Sequence, residues 1–73
     1  MSEQQVREIV ENFIKQKYPS AHHISFTTLE YKARFYEYWV TASFTPCNSE
    51  NAKQLFFRID AGSGNLTHKV EEL

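Results

Sequence analysis

Residues 36–44, YEYWVTASF, decide the fold. Tyr36, Tyr38, Val40, Ala42 and Phe44 alternate with Glu37, Trp39, Thr41 and Ser43, so one face of the stretch is apolar throughout. A period of two carried by aromatic and β-branched residues marks a half-buried strand. Pro46 cannot donate to a ladder and ends it. Working outward, Leu55, Phe57 and Ile59 repeat the pattern in a third strand. Ile24, Phe26 and Thr28 set it in a first strand that begins at His22. Lys32-Ala33-Arg34 reads as the tight connection between strands one and two, residues 47–51 (CNSEN) as a polar loop, and residues 60–65 (DAGSGN) as a turn. Leu66, His68 and Val70 mark a short fourth strand.

Ahead of the strands the period changes. Val6, Ile9, Val10, Phe13, Ile14 and Tyr18 form one stripe at helical spacing over residues 2–18. Ser2 with Gln5 three residues on fits a capping box, and Glu3 suits the positive end of the helix dipole. Pro19 stops the helix and moves Tyr18 out of helical geometry. The expected fold is therefore α+β. One N-terminal amphipathic helix packs on one face of a four-stranded antiparallel meander, in the order α-β-β-β-β and as a single domain over residues 1–73.

Short hairpins let the register be written down. Pairing Tyr31 with Phe35 sets Thr28 opposite Tyr38, Phe26 opposite Val40 and Ile24 opposite Ala42. Pairing Phe44 with Lys53 sets Ala42 opposite Leu55 and Val40 opposite Phe57. Pairing Asp60 with Asn65 sets Ile59 opposite Leu66 and Phe57 opposite His68. These registers send one apolar set to the helix, and a one-residue slip would reverse it. They leave Leu29, Tyr31, Phe35, Trp39, Phe56 and Arg58 on the other face, with Arg58 opposite Trp39 as a cation–π pair. An open antiparallel face in water is mostly polar. Five large side chains on it amount to several hundred Å², about the size that marks an interaction site.

Composition narrows the partners. Eight basic and nine acidic residues give a net charge of −1 with no basic block, which disfavours a dedicated nucleic-acid binder. No apolar run reaches the roughly 20 residues of a membrane span. The polar N-terminus MSEQQVREIV has no leader-like apolar core, and the one cysteine, Cys47, fits a reducing compartment; a soluble, cytoplasmic chain is the expectation.

Catalytic and metal chemistry find little support. His22 and His23 are adjacent, and on a regular strand they point to opposite faces. His68 is expected to face the helix at the sheet edge. Cys47 follows Pro46 in a polar loop with no neighbouring base to lower its pKa. Glu30 and Glu37 read as solvated strand carboxylates, and Glu71 and Glu72 as tail residues. Gly62 and Gly64 resemble a phosphate loop only superficially. Such loops need a following helix, and the nine residues after Gly64 alternate like a strand. Neither an enzyme nor a cofactor or metal is expected.

Asp60, Gly64 and Leu66 in the closing FFRIDAGSGNLTHKVEEL carry a family resemblance. This hairpin resembles that of PepSY-type domains, where a strand ends in Asp, a turn contains Gly and a second strand follows. The whole order of elements is similar to a cystatin-like helix on a meander. The resemblance implies a non-catalytic module that inhibits or binds another protein. The expected role is thus a non-enzymatic interaction module whose partner is a second copy or another protein, seated on the aromatic sheet face. The alternative is a small-molecule domain using the same aromatics with Arg58 as anion anchor.

Overall fold

The computed structural model describes residues 1–47 and 51–73, so part of the polar loop read at 47–51 lies outside the described residues. Helix α1 (Glu3–Lys17) is followed by strands β1 (His22–Lys32), β2 (Glu37–Thr45), β3 (Lys53–Asp60) and β4 (Glu71–Glu72). They form one antiparallel sheet in the order β1-β2-β3-β4. The fold is the expected α+β arrangement.

The ends of α1 follow from its sequence. Ser2 is the N-cap. Its Oγ accepts from the Gln5 amide at 3.3 Å, while the Gln5 side chain accepts from the Ser2 amide at 2.8 Å. This reciprocal pair satisfies two of the amides that a helix start leaves without partners. At the other end Pro19 forces Tyr18 out of the helix, and the Tyr18 amide still closes on the Ile14 carbonyl at 2.7 Å. Val6, Val10 and Ile14 are fully buried.

They pack on Val40, Ala42 and Phe44 of β2 and on Leu55, Phe57 and Ile59 of β3. Phe13 meets Phe57 edge-on at 5.4 Å, and Tyr18 meets Phe44 at 5.1 Å. A helix of 15 residues is ~22 Å long and the molecule measures 40 × 19 × 18 Å. The 11 residues of β1, at ~3.3 Å each, account for the long dimension. The helix therefore leaves one end of the sheet uncovered.

The β2–β3 ladder matches the expected register throughout, with Phe44 opposite Lys53, Ala42 opposite Leu55 and Val40 opposite Phe57. The β1–β2 ladder does not. Its loop is Ala33-Arg34-Phe35-Tyr36, closed by Lys32 opposite Glu37, so Tyr31 faces Tyr38 and Leu29 faces Val40. Two successive turns build the loop: the Phe35 amide donates to Lys32 and the Tyr36 amide to Ala33. Tyr36 closes it in the left-handed region, φ 54°, and belongs to the loop rather than to β2. From Thr28 to Lys32 the ladder is displaced by three residues from the expected one, and at Ser25 and Phe26 by two. Because three is odd, Leu29 and Tyr31 move to the helix side and Thr28 to the other. An irregularity between Phe26 and Thr28 then reverses the alternation, so Phe26 opposite Ala42 and Ile24 still pack on the core.

The last strand is also corrected. Ile59 bridges Leu66 and the Asp60 amide donates to the Asn65 carbonyl, as the turn predicts. Regular pairing resumes only at Glu71 opposite Phe56 and Glu72 opposite Leu55. Five residues, 67–71, stand against three, 56–58, so two are in excess and the chain bulges between the anchor points. His68 is consequently not opposite Phe57 and does not face the helix; it is exposed and turned to Arg58.

Candidate interaction surface

Alternation along β2 and β3 puts Glu37, Trp39, Thr41, Ser43, Gln54, Phe56 and Arg58 on the face away from α1. At its loop end Phe35 stacks on Trp39, with ring centroids 5.6 Å apart and 20° between planes. Phe56 meets the same indole edge-on at 5.9 Å. The Arg58 guanidinium lies 4.9 Å from the Trp39 ring and 5.7 Å from Phe35, and Lys32 Nζ lies 5.1 Å from Trp39. Trp39 is thus half-buried beneath its neighbours. Phe35, 51% exposed, is the ring that meets solvent.

Beneath the stack lies Glu37, only 6% exposed. It is not the solvated carboxylate that a lone strand glutamate suggests. Its Oε1 accepts from Arg58 Nε and Nη2 at 2.9 Å each and from the Trp39 indole at 3.0 Å. Thr67 Oγ1 lies 3.3 Å from the Arg58 carbonyl and also adjoins this carboxylate. Its single hydrogen serves one acceptor at a time, and the charged carboxylate is the stronger one. The Thr67 hydroxyl, then the Trp39 indole and the Arg58 guanidinium, hold the Glu37 carboxyl down at about 2, against burial, which pushes it up. One signal for this cluster was in the sequence. The β2–β3 register sets Arg58 opposite Trp39, which places it diagonally across from Glu37 on the same face.

This arrangement changes the role of Arg58. Its Nε and Nη2 are bound to Glu37, and Nη1 lies 3.2 Å from His68 Nε2. Arginine only donates, so His68 accepts there and its Nδ1 can donate to Thr67 Oγ1 at 3.2 Å. Arg58 is therefore committed to holding the sheet face together and does not stand free as an anion anchor. Lys32 is matched in the same way by Glu30 at 2.6 Å.

The structure brings four of the six sequence-predicted face residues together: Phe35, Trp39, Phe56 and Arg58. The other two are displaced by the β1 register. Leu29 packs against the core, and Tyr31 lies on the helix side with its ring 5.1 Å from Tyr38. Tyr31 is nonetheless half-exposed, on the edge strand β1. Tyr38 donates to the Met1 carbonyl at 2.7 Å, fixing the start of the chain at this end.

Among the described residues, the large hydrophobic side chains left exposed are Met1, Tyr31, Phe35, Tyr36, Leu66 and Leu73, of which Tyr31, Phe35 and Tyr36 lie in or beside the β1–β2 loop. The β1–β2 loop, the 61–65 turn and the helix start converge, as the Tyr36 ring lies over Gly62 and Met1 abuts Gly64. Exposed aromatic surface therefore lies at the β1–β2 loop end of the sheet, beside the half-buried Trp39. Leu73 lies apart from it. No helix among the described residues is long and apolar enough to cross a membrane. No protein-family model, curated protein or solved structure matches the chain significantly.

Proposed function

We propose that the chain is a non-enzymatic interaction module that associates through its aromatic end, with a second copy as the first partner. The observation that carries this is the exposure of three aromatic side chains, Tyr31, Phe35 and Tyr36, in or beside the β1–β2 loop. Tyr31, Phe35 and Tyr36 are each about half exposed. At ~150–250 Å² per ring, the three aromatics contribute roughly 300 Å² of open apolar surface. The largest patch on a monomer is of that order and often functional. A standard interface buries about 800 Å² on each side, so this patch would form its centre with the polar sheet face as rim. Twofold contact lets one such patch meet itself, and dimers of this symmetry are the commonest soluble oligomers.

The reading is tested by sedimentation of the wild-type chain and of Phe35→Glu. Phe35 is in an exposed loop, so the variant should keep its circular dichroism. Expected are a wild-type dimer and a monomeric variant. A wild-type chain that stays monomeric at high micromolar concentration refutes self-association.

A further inference from the structure

At the opposite end of the sheet, β1 departs from strand geometry at one residue. His23 has φ 55°, in the left-handed region. That region is unfavourable for a residue with a Cβ, although histidine visits it more often than most. It coincides with a break in register between His22 and Ser25. On a regular strand the two histidines would diverge. Here the backbone turn brings their rings together, with centroids 4.6 Å apart and planes inclined at 60°. Core packing does not account for this: His23 is exposed, His22 half-buried, and neither belongs to the hydrophobic cluster.

His22 Nδ1 lies 3.2 Å from the Ser20 carbonyl. A carbonyl only accepts, so Nδ1 carries the proton, and Nε2 of the neutral ring keeps its lone pair. Metal-ligating histidines are oriented in this way, one ring nitrogen donating to a carbonyl while the other binds the ion. We infer that His22 and His23 form an open site for a divalent transition ion of the Zn²⁺, Ni²⁺ and Cu²⁺ class. His22 Nε2 and one ring nitrogen of His23 are the protein ligands. Imidazole suits these ions. No group of three or more His, Cys, Asp or Glu side chains gathers among the described residues. The remaining positions are therefore taken by water, and the ion is exchangeable rather than structural. The site lies away from the aromatic end and stands independently of the association proposed there.

Calorimetric titration with zinc chloride, and separately with nickel chloride, tests the site at neutral pH. Four chains are compared: wild type, His22→Ala, His23→Asn and His68→Ala. Asparagine tolerates the left-handed backbone at position 23, and circular dichroism checks each fold. Expected is one ion per wild-type chain, with affinity falling roughly tenfold or more in the position 22 and 23 variants, and His68→Ala unchanged. Zinc should also shift the wild-type backbone amide resonances around residues 20–25 selectively. No wild-type binding at millimolar metal, wild-type affinity in either variant at positions 22 or 23, or shifts centred on His68 overturns the inference.

Discussion

Deleting Thr27 tests the account of how β1 reaches both faces of the sheet. Phe26 stands opposite Ala42 and Thr28 opposite Thr41, so two adjacent partners on β2 meet residues that have Thr27 between them. If Thr27 is the extra residue, its removal makes the ladder continuous and leaves every flanking side chain on its present face. A change confined to an exposed position of this kind is worth about ±0.5 kcal/mol, or up to about 4 °C in Tm for a domain this small. If Thr27 were instead an ordinary ladder residue, its deletion would invert one side of the strand relative to the other. Ile24 and Phe26 would then leave the core they now pack against. Full burial of such side chains is worth ~1.5–3 kcal/mol each. At about half burial the pair would lose roughly 1.5–3 kcal/mol, or at least 6 °C by the same scaling. Thermal melts of wild type and the deletion, followed by far-ultraviolet circular dichroism, separate the two cases. A fall of about 6 °C or more refutes the bulge reading.

Two further perturbations address the turn and the buried carboxylate. Gly64 has φ 77°, and a Cβ there would meet Met1 Cε at 3.0 Å and Ile9 Cδ1 at 3.1 Å. Gly64→Ala should therefore cost ~1–2 kcal/mol from the left-handed backbone alone and lower Tm by roughly 5–15 °C. Gly62→Ala, whose φ is not positive, should cost less, and an equal loss in both variants would contradict the φ argument. Glu37 has a depressed folded pKa, so its contribution to stability is complete above pH about 4.5 and is lost as pH falls toward 2. Glu37→Gln should flatten the fall of Tm across that window. Part of the slope remains, because the Ser63 and Gly62 amides and the Ser63 hydroxyl lower Asp60 as well. A variant whose acid profile parallels wild type would show that Glu37 does not carry the effect.

The parts of the fold legible in the sequence were those fixed by local chemistry or by strict alternation. Ser2, Gln5 and Pro19 set the helix ends, and the uninterrupted apolar alternation of β2 and β3 left their register a single solution. The β1 register was not legible for a physical reason. ISFTTLEYK contains two adjacent threonines, neither apolar nor charged, and an extra residue there costs the hydrophobic pattern nothing. The turn before β2 is not legible because Phe35 and Tyr36 look like strand residues, yet they form the loop, and Tyr36 takes a backbone conformation more often given to glycine or asparagine. The β1 register also takes Leu29 and Tyr31 off the open face, and Glu37, a lone strand carboxylate in sequence, is buried by its Arg58 and Trp39 partners.

The corrected geometry also changes what Trp39 does. A partner approaching the open face meets Lys32 and Arg58 above the indole, and both cations are already matched by carboxylates, Glu30 and Glu37. Little of Trp39 is left for contact. Its physical role is to fix what lies above it: its indole N–H is held by Glu37, and its ring supports Phe35 in a near-parallel stack. Phe35 belongs to a four-residue loop that would otherwise sample many conformations. Loop and side-chain ordering on association each cost free energy, and a platform arranged beforehand removes much of that cost. Under the proposed association, the buried ion pair and the indole would act indirectly, by holding Phe35 and its loop in place. On this reasoning the polar network around Glu37 and the exposed aromatics beside it would work as one device, joined by the loop 33–36.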